Sequence, residues 1–227
     1  SSAASDVYKR QVVNRLINAG AHIHKATNTN ATPLFIAAHN GHLEVVNSLI
    51  NAGANINQAT NTGLTPLYIA AQQGHHEVVN RLIYAGANIN QATDINATPL
   101  HIAAQNGHLE VVNRLINAGA NINQATNSNK TPLYIAAKNG RLEVVNRLIN
   151  AGANIDHITL NMLTPLYIAA QNGHLEVVNR LIDAGANINK KTNTGLTPLF
   201  IAAQQGHHEV VNRLINARAD INTITFD

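Results

Sequence analysis

Histidine is the residue type in this 227-residue chain best supplied for chemistry, with 12 copies beside 12 Asp and Glu and no cysteine. The segments His76-Glu77-Val78-Val79-Asn80 and His208-Glu209-Val210-Val211-Asn212 begin like the helical His-Glu-x-x-His pattern of zinc proteases, whose second His completes a ligand pair on one helix face. Asn80 and Asn212 stand where that second ligand is needed. The same stretch recurs elsewhere as Leu-Glu-Val-Val-Asn, so it reads as a repeated surface and not as a metal site. His42, His108 and His174 sit at the start of comparable stretches and read as capping, solvent-facing residues. The lack of cysteine removes a thiolate nucleophile, a sulfur-ligated metal and a disulfide framework. No nucleophile elbow or phosphate-binding loop occurs, and the glycines fall at helix ends. The expectation is therefore no catalysis, no cofactor and no metal. Asn-x-Thr sequons at Asn30, Asn96 and Asn129 read as chance matches in an Asn-rich chain without an export signal.

The elements that carry these residues follow from one spacing. Thr-Pro recurs at Thr32-Pro33, Thr65-Pro66, Thr98-Pro99, Thr131-Pro132, Thr164-Pro165 and Thr197-Pro198, using all six prolines of the chain. Each pair opens a segment of the form TPLxIAAxxGxxEVVNxLIxAGAxIx. Thr caps a helix while Pro occupies its first turn, where a missing N–H is harmless. The short helix through Leu34, Ile36, Ala37 and Ala38 ends near Gly41. A second carries Val45, Val46, Leu49 and Ile50 at helical spacing and stops at Gly53. The Asn- and Thr-rich stretch that follows reads as an extended loop with a tight turn. Its turn position is Asn30, Gly63, Asn96, Asn129, Met162 or Gly195. All but Met162 tolerate positive φ, so Met162 implies either a different turn or about 1 kcal/mol of strain. No helix pair can bury its own apolar side, so consecutive repeats must stack.

Charge adds little. Net charge is +3 with a pI near 9.3. Glu77 and Arg81, Glu110 and Arg114, Glu143 and Arg147, Glu176 and Arg180, and Glu209 and Arg213 stand four apart, the order that favours helical ion pairs. The remaining cations, including Lys25, Lys130, Lys138, Arg141, Lys190 and Lys191, are dispersed without interleaved aromatics. That distribution argues against nucleic acid. No apolar run is long enough to cross a membrane and no export signal is visible, so the expected setting is cytoplasmic or otherwise intracellular.

These repeats resemble ankyrin repeats, the match at TPLHIAAQNGHLEVVNRLINAGANIN from Thr98 being close. The resemblance implies an all-α solenoid of stacked antiparallel helix pairs with projecting β-hairpin loops. It covers full repeats 22–54, 55–87, 88–120, 121–153, 154–186 and 187–219, with partial repeats 7–21 and 220–227, all in a single domain 1–227. Polar Lys9, Arg10 and Gln11 suit an exposed end, and a further hairpin starts after Asp220. Two departures stand out. The family His after Thr-Pro-Leu survives only as His101, and Thr27, Thr60, Thr93, Thr126, Thr159 and Thr192 replace the usual hairpin Asp, where Thr still makes a side-chain turn bond.

The resemblance further implies non-catalytic binding of another protein through hairpin tips and the exposed side of the first helices. Those positions include Gln105, Asn106, Lys138, Asn139, Gln171 and Asn172 on helices, and Asp94, Ile95, Leu160 and Asn161 at tips. HITLNMLTP, residues 157–165, departs most from the other loops by carrying Ile158, Leu160, Met162 and Leu163. With Lys130, Lys138 and Arg141 on the preceding repeat, it offers an apolar centre beside a basic edge, suited to an acidic, partly apolar protein surface. A monomer is expected, with neither nucleic acid nor membrane as partner. A spacer holding other domains apart is the alternative function. The resemblance further admits a bacterial effector delivered into a host cell and acting on host proteins, or an engineered ankyrin binder. Asn57, Asn90 and Asn123 loosely fit the context for asparagine hydroxylation known in the family.

Overall fold

The computed structural model describes residues 2–222, with side chains from Tyr8 onward except that of Lys9. The exposure expected of Lys9 and the hairpin expected beyond Asn222 lie outside the described residues. Thirteen helices are described: α1 (Ser2–Asn18), α2 (Pro33–His39), α3 (Leu43–Asn51), α4 (Pro66–Gln73), α5 (His76–Tyr84), α6 (Pro99–Asn106), α7 (Leu109–Asn117), α8 (Pro132–Lys138), α9 (Leu142–Asn150), α10 (Pro165–Gln171), α11 (Leu175–Asp183), α12 (Pro198–Gln204) and α13 (His208–Asn216). None is long and apolar enough to cross a membrane. The chain divides into two compact units. Unit 1 comprises residues 1–103 with 113–120, and unit 2 comprises 104–112 with 121–227.

In both units the Thr-Pro signal does what its chemistry dictates. Thr32 Oγ1 accepts the Phe35 N–H at 3.2 Å and Thr164 Oγ1 accepts that of Tyr167 at 3.1 Å, each with Pro in the first turn. Leucine after the proline is buried in both units, as Leu34, Leu67 and Leu100 in unit 1 and Leu133 and Leu166 in unit 2, with Leu199 half-buried; buried too are the paired alanines that let helices approach closely, Ala70 with Ala71 in unit 1 and Ala169 with Ala170 in unit 2. The cores are thus aliphatic, with the aromatics Tyr68, Tyr134 and Tyr167 buried beside them. Burial pushes all three hydroxyls up, Tyr134 to about 12 with the neighbouring Tyr167 adding to the effect. These rings therefore stay neutral and act as packing groups. His101 keeps the family residue and is buried, its Nδ1 accepting the Thr98 N–H at 3.1 Å.

Three expectations need correction. The projecting loops form no β-strand among the described residues. Each is a single turn closed on its threonine: Thr60 N–H donates to Leu64 O at 2.9 Å, and its Oγ1 accepts the Leu64 N–H at 3.1 Å. A turn so short satisfies its own backbone and needs no ladder. The first helix, α1, begins at Ser2 and not near Val7, because Tyr8 occupies the place where later repeats have a helix-ending glycine such as Gly41 (φ 70°). Finally, Arg81, Arg180 and Arg213 do not turn to the glutamate four residues earlier. Arg81 Nε donates to Asn47 Oδ1 at 2.7 Å, Arg180 Nε to Asn146 Oδ1 at 2.9 Å and Arg213 Nε to Asn179 Oδ1 at 2.9 Å, all on the preceding repeat. A second N–H of Arg213 pairs with Asp183 at 2.7 Å. Bonding to the neighbour offers the guanidinium two oriented acceptors, which a single exposed glutamate does not.

Candidate protein-binding surface

The tip at 157–163 of unit 2 is built like the other tips. Thr159, buried, receives the Met162 N–H on its carbonyl at 2.9 Å, donates its own N–H to Leu163 O at 3.0 Å and takes the Leu163 N–H on Oγ1 at 3.2 Å. The turn is unchanged, so its third residue is forced left-handed: Met162 has φ 59°. Asn129, which holds the same place one repeat earlier at φ 58°, also donates Nδ2 to Ile158 O at 2.7 Å. Methionine gains neither the tolerance nor the bond. Met162→Asn is accordingly expected to raise stability by about 1 kcal/mol, read as a melting temperature higher by roughly 2–4 °C.

What this backbone presents is apolar. Leu160 is 70% exposed and Met162 36%, whereas Ile158 and Leu163 are half-buried. Asn161 is exposed beside Leu160. Lys138 and Arg141 are exposed at the end of α8 and just after it, and Arg141 Nε is committed to Gln105 O at 3.1 Å. Lys130 is half-buried and already has a partner, as has Asn106. Asn139 Nδ2 closes its own helix on Ile135 O at 2.7 Å, and Asn172 Nδ2 reaches Lys138 O at 2.8 Å. Gln105 is exposed and Gln171 half-buried. Asp94 and Ile95 form a tip of unit 1, with Ile95 63% exposed. Of the expected positions in unit 2, then, Leu160, Asn161, Met162, Lys138 and Gln105 have exposed side chains that make no hydrogen bond or ion pair.

Sequence reasoning missed the groups that bind one repeat to the next. His75, His174 and His207, each before a second helix, make no side-chain cap bond. Instead His75 Nε2 lies 3.0 Å from His39 O, His174 Nε2 3.0 Å from Lys138 O and His207 Nε2 3.1 Å from Gln171 O. Each ring thus donates to the final carbonyl of the first helix in the preceding repeat, and Arg141 Nε donates to Gln105 O, one residue before the end of α6. Asparagines form a second ladder: Asn57 Oδ1 accepts the Asn88 N–H at 2.8 Å, Asn123 Oδ1 that of Asn154 at 2.8 Å and Asp156 Oδ1 that of Asn187 at 2.9 Å. These asparagines are therefore structural, and the acceptor oxygens of Asn57 and Asn123, two of the three hydroxylation candidates, already serve the next repeat. Two sequon amides are likewise engaged, Asn129 as above and Asn30 Nδ2 with Ala59 O at 2.7 Å. Among the described residues no three His, Asp or Glu side chains converge as a metal site would require.

Stacked helix pairs joined by outward turns define the class: a repeat scaffold that displays its loops and first helices. A family model of ankyrin repeats matches residues 1–93, 91–159 and 155–225. The crystal structure of the human ASB11 ankyrin repeat domain superimposes with a TM-score of 0.85 at 30% identity, covering 96% of this chain and 97% of that one. No curated relative matches the chain in sequence. The chain belongs to the ankyrin repeat family. Ankyrin repeats are protein–protein interaction modules, generally without enzymatic activity, and membership supports a protein partner.

Proposed function

We propose that unit 2 binds an acidic, partly apolar protein surface, with Leu160 and Met162 as the apolar centre and Lys138 and Arg141 as the basic edge. The observation that carries this reading is the strained tip. A methionine held at φ 59° beside a largely exposed leucine costs stability and leaves apolar surface wet. Charge supports it. The loops and first helices at 124–141, 157–174 and 190–207 contain Lys130, Lys138, Arg141, Lys190 and Lys191 and no Asp or Glu. The acidic residues of unit 2 among the described residues stand on second helices or in the loops directly after them, as Glu143, Asp156 and Glu176 do. That one-sided distribution steers an acidic partner to the tips and first helices and away from the opposite side.

The test is capture of a partner from a lysate with the intact chain, its identification by mass spectrometry, and titration of variants against it. Leu160→Ser with Met162→Ser weakens binding about tenfold or more without lowering the melting temperature, since neither side chain supports the core. Lys138→Glu slows association and flattens its salt dependence. A partner whose affinity is indifferent to both variants removes this surface from consideration.

A further inference from the structure

Every second helix carries an arginine at one place, Arg15, Arg81, Arg114, Arg147, Arg180 or Arg213, except α3, which has Ser48 there. The structure shows what that arginine does. Arg81 lays its guanidinium across Asn47 Oδ1 at 2.7 Å and Asn51 Oδ1 at 3.2 Å, two acceptors one turn apart on α3. Arg180 uses Asn146 and Asn150 of α9 in the same way, both at 2.9 Å. The matching pair on α1 is Asn14 and Asn18, both exposed, and neither side chain makes a hydrogen bond. Ser48 is too short to reach them: it is buried and returns its Oγ to the Glu44 carbonyl of its own helix at 3.1 Å. Where the later repeats place a guanidinium, a cleft of about 370 Å³ lies between α1 and α3, lined by Arg10, Asn14, Glu44, Asn47, Ser48 and Asn51. Arg10 pairs with Glu44 at 2.9 Å, so the two charges of the lining cancel.

We propose that this cleft is a docking site for an arginine side chain of another protein. The later repeats define the ligand. A planar guanidinium donates from Nε to one amide oxygen and from a terminal nitrogen to the second, a spacing that the point charge of a lysine does not match. The cleft is set by Ser48 inside α3, flanked by helices on both sides, and an arginine at that place would fill it from within. An arriving guanidinium meets no net repulsion, because Arg10 is neutralised by Glu44, and it satisfies two amide oxygens that no protein group serves. The site belongs to the second helices of unit 1 and is independent of the surface proposed for unit 2.

The probe is N-acetyl-arginine methylamide, in which the backbone charges of free arginine are blocked as they are within a protein. Titrated in the millimolar range into the full chain, it produces saturable chemical-shift changes at the side-chain amides of Asn14 and Asn18 and leaves those of Asn146 and Asn150 unmoved. The lysine analogue produces none. Asn14→Ala, at an exposed helical position, weakens binding roughly tenfold, the loss of one hydrogen bond to a charged group. Ser48→Arg fills the cleft with the chain's own guanidinium, abolishing binding and raising the melting temperature by roughly 2–4 °C. No saturable shift with the arginine probe, an equal response to the lysine analogue, binding that survives Ser48→Arg, or a Ser48→Arg chain that melts lower overturns the proposal. Tighter binding of free arginine than of the blocked form also overturns it, by assigning the cleft to a small metabolite.

Discussion

Replacing Leu181 by alanine lowers the unfolding free energy by about 3–5 kcal/mol, measured by urea titration of the intact chain. Leu181 is completely buried on α11. Alanine there forfeits the transfer free energy of three carbons and leaves a cavity that the adjoining helices cannot close without breaking their own contacts. The repeat supplies its own control. Leu16 occupies the same place on α1, with the same neighbours in sequence, but is exposed. Leu16→Ala therefore costs no more than about 1 kcal/mol, since most of its surface is never removed from water. Equal losses at the two positions would mean that burial within the stack is not what stabilises this protein.

The second large effect falls on a glycine. Gly173→Ala destabilises by about 2–3 kcal/mol, combining the cost of alanine at φ 72° with displacement of the His207 ring. An added Cβ would lie 2.6 Å from His207 Nδ1, so the ring must leave and with it the bond to Gln171 O. In a His207→Ala background the same glycine substitution costs about 1–2 kcal/mol, the backbone part alone. Gly206, at φ 76° with nothing within 4 Å of its virtual Cβ, gives that smaller value in either background. A double-mutant cycle on Gly173 and His207 that shows no coupling would refute the role assigned to the histidine.

Helices, caps and turns were legible because their signals are local. Thr-Pro fixes the start of each first helix, glycine its end, and the threonine of each turn bonds to a residue four positions away. The bonds between repeats were not legible, since His174 and Lys138 are 36 residues apart and nothing near His174 distinguishes a ring that reaches a neighbour from one that caps its own helix. Arginine misled for the opposite reason: a glutamate four residues earlier was visible in the sequence, whereas Asn146, the acceptor of Arg180, lies 34 residues earlier. At the candidate surface, the departure of Leu160 and Met162 from the other tips could be found by comparing the chain with itself. The half-burial of Ile158 and Leu163 could not, because it depends on what the folded chain brings around them.

The bonds through His75, His174 and His207, through Arg81, Arg180 and Arg213, and through the backbone of Asn88, Asn154 and Asn187 share a direction. In every one the donor belongs to the later repeat and the acceptor to the earlier. During synthesis from the N-terminus, each new helix pair leaving the ribosome therefore meets acceptors already in place. The nascent edge meanwhile exposes these carbonyl and amide oxygens, with the side-chain amides of Asn30 and Asn129 at the tips as donors running the other way. Growth of the protein is in this sense templated, each finished layer serving as the mould for the one that follows.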